Sequence, residues 1–264
     1  MNIRIFKILK NRIYSDYFMP SRLSEYERII KSLIENGYEH ITVRDYNYRL
    51  KNNLLENKKY FINRHDIDTD VATAKEFFKI EKKYNVKASY YFRLSTLDFN
   101  FMKEIESYGS EASYHFEEIA TFAKKYHIKS KYEIIKRLDE IKKEFIKNFQ
   151  IIENRIGVKL KTVCSHGDFA NRKLQIINNE ITKDYNLRKE LGIECETYDK
   201  DIMDSFDIYV SDQPYPKFYI PKPIFEYIGN KNIICMLSHP RQWNTNWFCN
   251  TKENLKRIYE GLVW

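Results

Sequence analysis

The chain has only seven glycines in 264 residues, and it contains no glycine-rich phosphate-binding motif, which argues against a nucleotide-binding loop. No stretch approaches the roughly 18–20 apolar residues that cross a bilayer as a helix. The mean hydropathy of -0.63 agrees with this absence. The first ten residues lack the apolar run of a secretory signal. We therefore expect a cytoplasmic protein, peripheral at a membrane if it binds one.

Cysteine is also rare, and no pair of cysteines forms a C-x-x-C motif. The absence of this motif and the wide spacing of the cysteines argue against a zinc ribbon, a thioredoxin-like motif or a disulfide scaffold. They predict reduced, mostly buried thiols. The four cysteines are Cys164, Cys195, Cys235 and Cys249.

Positive charge exceeds negative charge, with 45 Lys and Arg against 37 Asp and Glu, a net charge of +8. One interpretation is a compositional bias toward Lys, Asn, Ile and Tyr. The other is attraction to an anionic partner such as a phosphorylated sugar donor, a lipid phosphate or a membrane surface. The basic residues form no block and no nucleic-acid motif, so we predict no nucleic-acid partner. The oligomeric state is left open.

Apolar residues make up 43% of the chain and aromatic residues 16%, enough for a sizeable core. Strand-like and helix-like patterns alternate, which predicts a largely parallel sheet covered by helices, either a barrel or a doubly wound sheet. Predicted helices span 24–36, 71–83, 98–108, 130–156 and 253–260, and predicted strands span 40–43, 60–63, 87–94, 111–115, 160–164, 208–210 and 233–237.

Polar clusters follow strand after strand, and four of the six histidines lie in them. Because the carboxyl ends of parallel strands meet at one edge of a sheet, these clusters predict a shared active site. The clusters are residues 64–68, 115–118, 165–168, 211–212 and 238–239.

Two aspartates, Asp66 and Asp68, are two residues apart and point the same way if the chain is extended. One carboxylate can then bind a metal while the other accepts a proton; the alternative is that either of them caps the helix that follows. His115 is either a metal ligand or a core histidine, and His166 precedes a glycine that allows close approach of a ligand. One aspartate and two imidazoles would leave positions open on a catalytic Zn²⁺ or related ion. His239 is a candidate general acid.

These residues resemble, in order, the motifs of the polysaccharide deacetylases of carbohydrate esterase family 4, and more closely a divergent bacterial branch found with surface-polysaccharide genes. The resemblance covers roughly residues 60 to 245. The matching segments are Arg64-His65-Asp66-Ile67-Asp68, Ala88-Ser89-Tyr90-Tyr91-Phe92, Gly109-Ser110-Glu111-Ala112-Ser113-Tyr114-His115-Phe116-Glu117, Ser165-His166-Gly167, Ser211-Asp212 and Leu237-Ser238-His239-Pro240.

The resemblance implies an irregular (β/α) barrel of about seven parallel strands over residues 59–264. Residues 1–58 lie outside the resemblance, and we expect them to form an N-terminal α/β extension packed on the barrel, serving as a lid, an oligomer contact or a membrane-facing element. It implies metal-assisted removal of an N- or O-acyl group, most simply acetyl, from a sugar in surface-polysaccharide biosynthesis. Asp66 matches the catalytic base, Asp68 and His115 match metal ligands, and His239 matches the acid that protonates the leaving group. The substrate would be an acylated sugar, a nucleotide-sugar or a lipid-linked glycan.

The sequence departs from this family at two motifs. Ile119 stands where the family has its second metal histidine, and Ser165-His166-Gly167 replaces an arginine-proline-glycine motif. We infer that His166 supplies the third metal ligand, with Glu117 or Glu118 as the competing candidate. If none of them binds a metal, the chain is a degenerate barrel that binds sugar or scaffolds a biosynthetic complex.

Four further residues are predicted to bind substrate: Arg64, Tyr91, Asp212 and Trp243. Tyr91 lies where a backbone N–H could stabilise an oxyanion. Trp243 could stack on a sugar ring, and core packing is its alternative role. The expected cofactor is a divalent metal ion, Zn²⁺ first, with Ni²⁺, Co²⁺ or Mn²⁺ as the other choices.

Overall fold

The computed structural model describes the backbone of residues 3–264 and the side chains of residues 6–264. The molecule is a mixed α/β structure whose mostly parallel sheet curls into a half-barrel flanked by helices. The strands are β1 (Tyr38–Ile41), β2 (Lys59–Ile67), β3 (Ser89–Phe92), β4 (Glu111–Phe116), β5 (Thr162–Ser165), β6 (Cys195–Glu196), β7 (Ile208–Asp212), β8 (Tyr219–Ile220) and β9 (Ile233–Ser238).

Twelve α-helices lie in the described part of the chain, and none of them is both long and apolar enough to cross a bilayer. They are α1 (Ile3–Tyr17), α2 (Leu23–Glu35), α3 (Val43–Lys51), α4 (Val71–Lys83), α5 (Phe99–Tyr108), α6 (Glu118–Lys125), α7 (Lys131–Lys136), α8 (Leu138–Ile156), α9 (Phe169–Leu174), α10 (Tyr185–Leu191), α11 (Lys200–Asp204) and α12 (Trp247–Val263).

The strands follow the order β6-β5-β4-β3-β2-β9-β7-β8, and β1 pairs with the first half of β2. Among the strand pairs of residues 3–264, only β7–β8 is antiparallel. No hydrogen-bonded return joins β6 to β8 within residues 3–264, so the described sheet is open at that point.

Strand β2 is the central strand of the sheet. Its side chains point alternately to the two faces, and this alternation determines which of them reach the concave face. Its apolar residues are buried on both faces, as expected for a parallel strand covered on both sides. Tyr60 and Ile62 pack into the concave core, and period two places Arg64 and Asp66 on that same face. Phe61 belongs instead to the core beneath the helices.

His65, one of the four clustered histidines, therefore points away from the concave face. Its ring contacts Glu81 on α4 at 2.7 Å and Ser238 on β9 at 2.7 Å, in a fully buried polar network. Hydroxyl groups of Tyr26 and Tyr90 donate to the same Glu81 carboxylate, each at 2.6 Å. This network fixes β2 against α2 and α4, so His65 has a structural role.

Several predicted elements differ from the observed ones. The predicted helix over 71–83 is confirmed, but the helix predicted over 130–156 is two helices, α7 and α8, separated at Arg137. The helix predicted over 253–260 extends over the whole of α12. Helices α1, α3, α6, α9, α10 and α11 were not predicted, and neither were the two-residue strands β6 and β8.

Residues of the predicted N-terminal extension take part in the main sheet and core. Strand β1 pairs with β2, and Tyr26, Ile29 and Leu33 of α2 pack in one cluster with Phe61 and Phe77. The boundary predicted at residue 58 stays a prediction.

Candidate active site

The predicted polar clusters gather at one edge because β2, β4, β5 and β9 run parallel and in register. His65 of β2 lies opposite Ser238 of β9, and His115 of β4 lies opposite Cys164 of β5. Residues at or just beyond these carboxyl ends therefore converge. The structure brings together Asp66, Asp68, His115 and His166, with His239 on the neighbouring strand end.

Asp68, His115 and His166 form the tightest group of potential metal ligands. The Nε2 atom of His115 lies 3.3 Å from Oδ1 of Asp68, Nδ1 of His166 lies 3.1 Å from the same oxygen, and the two imidazole nitrogens are 3.2 Å apart. Two ligands at zinc distances and a tetrahedral angle would be about 3.3–3.4 Å apart. The triangle matches that spacing, so this group can hold a metal ion.

The orphaned oxygen of Asp68 supports the same conclusion. Its Oδ1 atom is buried and has no hydrogen-bond partner of acceptable geometry among the described residues, although two imidazole nitrogens lie within 3.3 Å. A buried carboxylate oxygen that has no hydrogen-bond partner and lies beside two imidazole nitrogens is the arrangement that a divalent cation would satisfy.

Backbone contacts fix the two histidines. Nδ1 of His115 lies 3.0 Å from the Cys164 carbonyl, which makes Nδ1 the donor and turns the Nε2 lone pair toward Asp68. The His166 N–H donates to the Phe116 carbonyl at 2.8 Å, and its own carbonyl accepts from the Asn178 side chain at 2.6 Å. These bonds tie the loop after β5 to the end of β4.

Two further groups of potential ligands overlap this one, and both have competing partners. In Asp66, His115 and Cys164, burial raises the pKa of the thiol and Asp66 is paired with arginine. In Glu117, His166 and Asp168, the two carboxylates are held by Arg93 and Lys124 respectively. Asp68, His115 and His166 therefore form the set whose donor atoms are the least committed elsewhere.

Asp66 is bound from behind by Arg64. The guanidinium donates from Nε at 2.9 Å and from Nη2 at 2.8 Å, one bond to each carboxylate oxygen, and both side chains are almost fully buried. Burial alone would raise the pKa of Asp66, but Arg64 and His115 hold it well below its usual range. Its Oδ2 atom also lies 3.6 Å from Nε2 of His115, beside the candidate metal ligands.

His239 is held by Asp212. Asp212 accepts from the backbone N–H of His239 at 2.6 Å, bonds to its Nδ1 at 2.7 Å, and accepts from the indole N–H of Trp243 at 2.8 Å. Burial alone would lower the pKa of His239, but the Asp212 carboxylate raises it to about 9. The ring is therefore protonated at neutral pH, with Nδ1 facing Asp212 and Nε2 left for a ligand.

The positions of Asp70 and Glu118 bear on two alternative roles, capping of α4 by Asp66 or Asp68 and metal binding by Glu118. Helix α4 is capped by Asp70, which accepts from the Thr73 N–H at 3.2 Å, so neither Asp66 nor Asp68 is its cap. Glu118 turns into the helix-side core, where the Tyr114 hydroxyl and the Asn148 amide donate to it.

Ile119 lies in the same hydrophobic core. A side chain at that position of α6 therefore points away from the concave face, and the structure gives position 119 no place in the candidate metal site.

The substrate contacts predicted for Arg64, Tyr91, Asp212 and Trp243 stay predictions. All four side chains are buried, and each bonds to other side chains of the protein. Tyr91 bonds to Thr162 at 2.7 Å, and Trp243 packs edge-on against Tyr26 and Phe77 in the core. These residues position the site from behind: Arg64 holds Asp66, and Asp212 with Trp243 holds His239.

Two residues near the site were not predicted. Arg93, directly after β3, donates to Glu117 at 2.6 Å and to the Asp68 carbonyl at 3.2 Å. It follows the observed end of β3, but the strand predicted over 87–94 contains it, so the strand-end rule could not select it from the sequence. Tyr198, whose hydroxyl accepts from Arg64 at 2.7 Å, carries no strand-end signal either, because it lies in a loop distant in sequence.

A cavity of about 350 Å³ leads from the surface to Asp68 and His166. Its wall is formed by the loop after β5 and by α12, which contributes Glu253, Lys256 and Arg257. A larger cavity of about 570 Å³ lies around α10 and contains none of the predicted site residues. The smaller cavity is therefore the access route to the candidate ligands.

Comparison with known proteins finds no matching family model and no significantly similar curated protein.

Proposed function

We propose that this protein is a metal-dependent hydrolase that removes an N- or O-acyl group, most simply acetyl, from a sugar in surface-polysaccharide biosynthesis. The proposal includes the finer fold assignment, an irregular (β/α) barrel. The observation that carries it is the convergence of Asp68, His115 and His166, two of which, Asp68 and His166, line a cavity open to the surface.

The donor set of two imidazoles and one carboxylate fits Zn²⁺, with Ni²⁺, Co²⁺ and Mn²⁺ as alternatives. A divalent cation held there would polarise an acyl carbonyl and lower the pKa of a water molecule. Three protein ligands leave positions for both, as in other hydrolytic metal sites.

Two side chains account for the proton transfers. Asp66 is ionised because Arg64 holds its pKa low, so it can accept the proton that a water molecule loses when its oxygen attacks the acyl carbon. His239 is protonated because Asp212 raises its pKa, so it can donate a proton to a leaving amine or alkoxide. Asp212 also holds the His239 ring in one orientation.

Metal analysis combined with released acetate is the decisive experiment. The purified protein is expected to bind a divalent cation near one equivalent and to release acetate from members of a panel of N- and O-acetylated sugars. Asp68→Ala is expected to lose metal affinity and activity together. Matched controls are Asp139→Asn and His127→Asn, which change exposed residues of the same types.

Two more variants separate the roles. Asp66→Asn is expected to keep the metal and lose most turnover. His239→Ala is expected to keep the metal and lose least with 4-nitrophenyl acetate, whose leaving group needs no proton. A metal-free protein with sugar binding would instead indicate the degenerate, binding-only alternative, and full activity in all three variants would show that the site lies elsewhere.

A further inference from the structure

Helices α1 and α12 pack side by side through polar side chains. Asp16 of α1 is buried, accepts from Asn254 at 2.9 Å and from Arg241 at 2.8 Å, and its carbonyl accepts from Asn250 at 2.8 Å. Arg12 donates to the Asn254 side chain at 3.0 Å. The faces these two helices turn toward the protein are therefore polar.

Both helices also carry apolar side chains that stay exposed. Six of them have exposed fractions between 44% and 81%. We call them the terminal-helix surface; its defining residues are Phe6, Leu9, Ile13, Phe248, Leu255 and Leu262. At roughly 200 Å² for each whole residue, these six together expose on the order of 700 Å². Large exposed apolar side chains grouped on two neighbouring helices are typical of an interaction surface.

The charges around the terminal-helix surface have one sign. Every charged residue of α1 and α12 that is classed as exposed, among residues whose side chains are described, is basic. These are Lys7, Lys10, Lys252, Lys256 and Arg257. The acidic residues of the two helices are shielded: Asp16 is buried, and Glu253 and Glu260 are partly buried and bridged to Arg257 and Lys124.

This combination selects the occupant. A second copy docked on the same surface would bring two sets of exposed basic residues together, because a two-fold interface matches a patch with itself. An anionic lipid bilayer would accept apolar side chains below its headgroups and lysines at them, as it does with interfacial amphipathic helices. The exposed aromatic rings of Phe18 and Trp247, next to each other at the start of α12, suit the headgroup level.

We propose that the terminal-helix surface docks this protein on an anionic lipid bilayer. Lys256 and Arg257 line the cavity that leads to Asp68, so the helix that carries Phe248, Leu255 and Leu262 also borders the cavity entrance. A further consequence, which rests on the proposed function, is that the substrate would be a membrane-borne, lipid-linked glycan.

Vesicle co-sedimentation of the full chain tests the docking. The protein is expected to sediment with vesicles of phosphatidylglycerol and phosphatidylcholine, to bind at least tenfold more weakly to phosphatidylcholine alone, and to be released by high salt. The double substitution Phe248→Ser and Leu255→Ser is expected to weaken binding at least tenfold. Tyr132→Ser and Tyr185→Ser, at exposed aromatic positions on other helices, are the matched controls and should leave binding unchanged.

A second variant tests the charge without changing any apolar side chain. Lys7→Glu with Lys10→Glu is expected to weaken binding to the anionic vesicles at least tenfold. Asp68→Ala is expected to bind vesicles like the unmodified chain, so failure of the catalytic proposal leaves this result intact. Absence of vesicle binding, or a dimer in solution that Phe248→Ser and Leu255→Ser dissociate, would overturn the proposal in favour of a second copy.

Discussion

Replacing Arg64 with leucine removes the only cation that contacts both oxygens of Asp66 in the described structure. The two side chains are about 1–2% exposed, so water cannot take the place of the guanidinium. The substitution would leave an unpaired carboxylate in the concave core. We expect a large loss of stability, because a buried charge without its partner is strongly unfavourable.

The magnitude follows from the geometry. At 2.8 Å and an effective dielectric constant of about 20, the attraction is about 6 kcal/mol, part of which is offset by the desolvation of both groups. Breaking a buried pair from one side typically costs about 3–5 kcal/mol, and we expect a loss in that range. The free energy of unfolding of a native domain is typically about 5–15 kcal/mol, so the variant should still fold, with a lower stability.

Urea unfolding, followed by fluorescence and circular dichroism, measures the effect. Arg257→Leu is the control, because Arg257 bonds to Glu253 at 2.8 Å and its side chain is 44% exposed. The control should lose less than about 1 kcal/mol. The stability of Arg64→Lys should lie between those of Arg64→Leu and the unmodified protein, because lysine keeps the charge but cannot form both bonds.

The double variant Arg64→Leu with Asp66→Leu decides the interpretation. If the cost comes from an unpaired charge, the double variant should recover stability relative to Arg64→Leu while remaining inactive. A double variant less stable than Arg64→Leu, or a loss below 1 kcal/mol in the single variant, would show that the pair is not the cause.

Two further predictions concern residues outside the site. Burial lowers the pKa of His40 to about 4, so as pH falls from about 6.5 toward 4 the unfolded chain takes up a proton that the folded chain refuses, and stability at pH 5 should be about 2 kcal/mol below its value at pH 8. In urea titrations His40→Phe should remove this pH dependence of stability, whereas the exposed His127→Asn should keep it. An equal change of stability with pH in both variants and the unmodified protein would show that His40 is not its source. Asp70→Ala should cost about 1–2 kcal/mol through loss of the α4 cap, and an unchanged urea midpoint would show that the cap contributes nothing.

Much of the fold follows from hydrophobic periodicity, and the errors have local causes. The helix over 71–83 has a clear apolar stripe and coincides with α4. The break between α7 and α8 has no glycine or proline to mark it. It lies at Arg137, whose guanidinium packs over the rings of Phe122 and Tyr126 on α6, a contact between distant segments. Periodicity within one segment cannot reveal such a contact.

Helix α1 was missed although its apolar residues have helical spacing. Phe6, Leu9 and Ile13 recur three and four residues apart, but the interspersed lysines made the segment look like a charged terminus. Its exposure could not have been predicted, because an amphipathic stripe normally faces the protein core. Phe6, Leu9 and Ile13 stay 44–55% exposed, although Asp16 on the same side of the helix is buried against α12.

The location of the candidate site could be predicted from the sequence, but the contacts between its residues could not. Strand ends and their polar residues located it, because parallel strands share one edge. The pairing of His115 with Cys164, which brings the loop containing His166 across the end of β4, depends on strand register. Register between strands about fifty residues apart is not encoded by either strand alone. The buried positions of Asp212 and Trp243 depend on it in the same way.

The two aspartates show what only the tertiary structure supplies. Asp66 and Asp68 are chemically alike, and the sequence separates them by position alone. In the structure both oxygens of Asp66 receive hydrogen bonds from Arg64, whereas Oδ1 of Asp68 is buried beside two imidazole nitrogens with no hydrogen bond of its own. A bound cation would satisfy the second carboxylate and not the first. The difference in environment is therefore the physical reason to assign metal binding to Asp68 and the role of proton acceptor to Asp66.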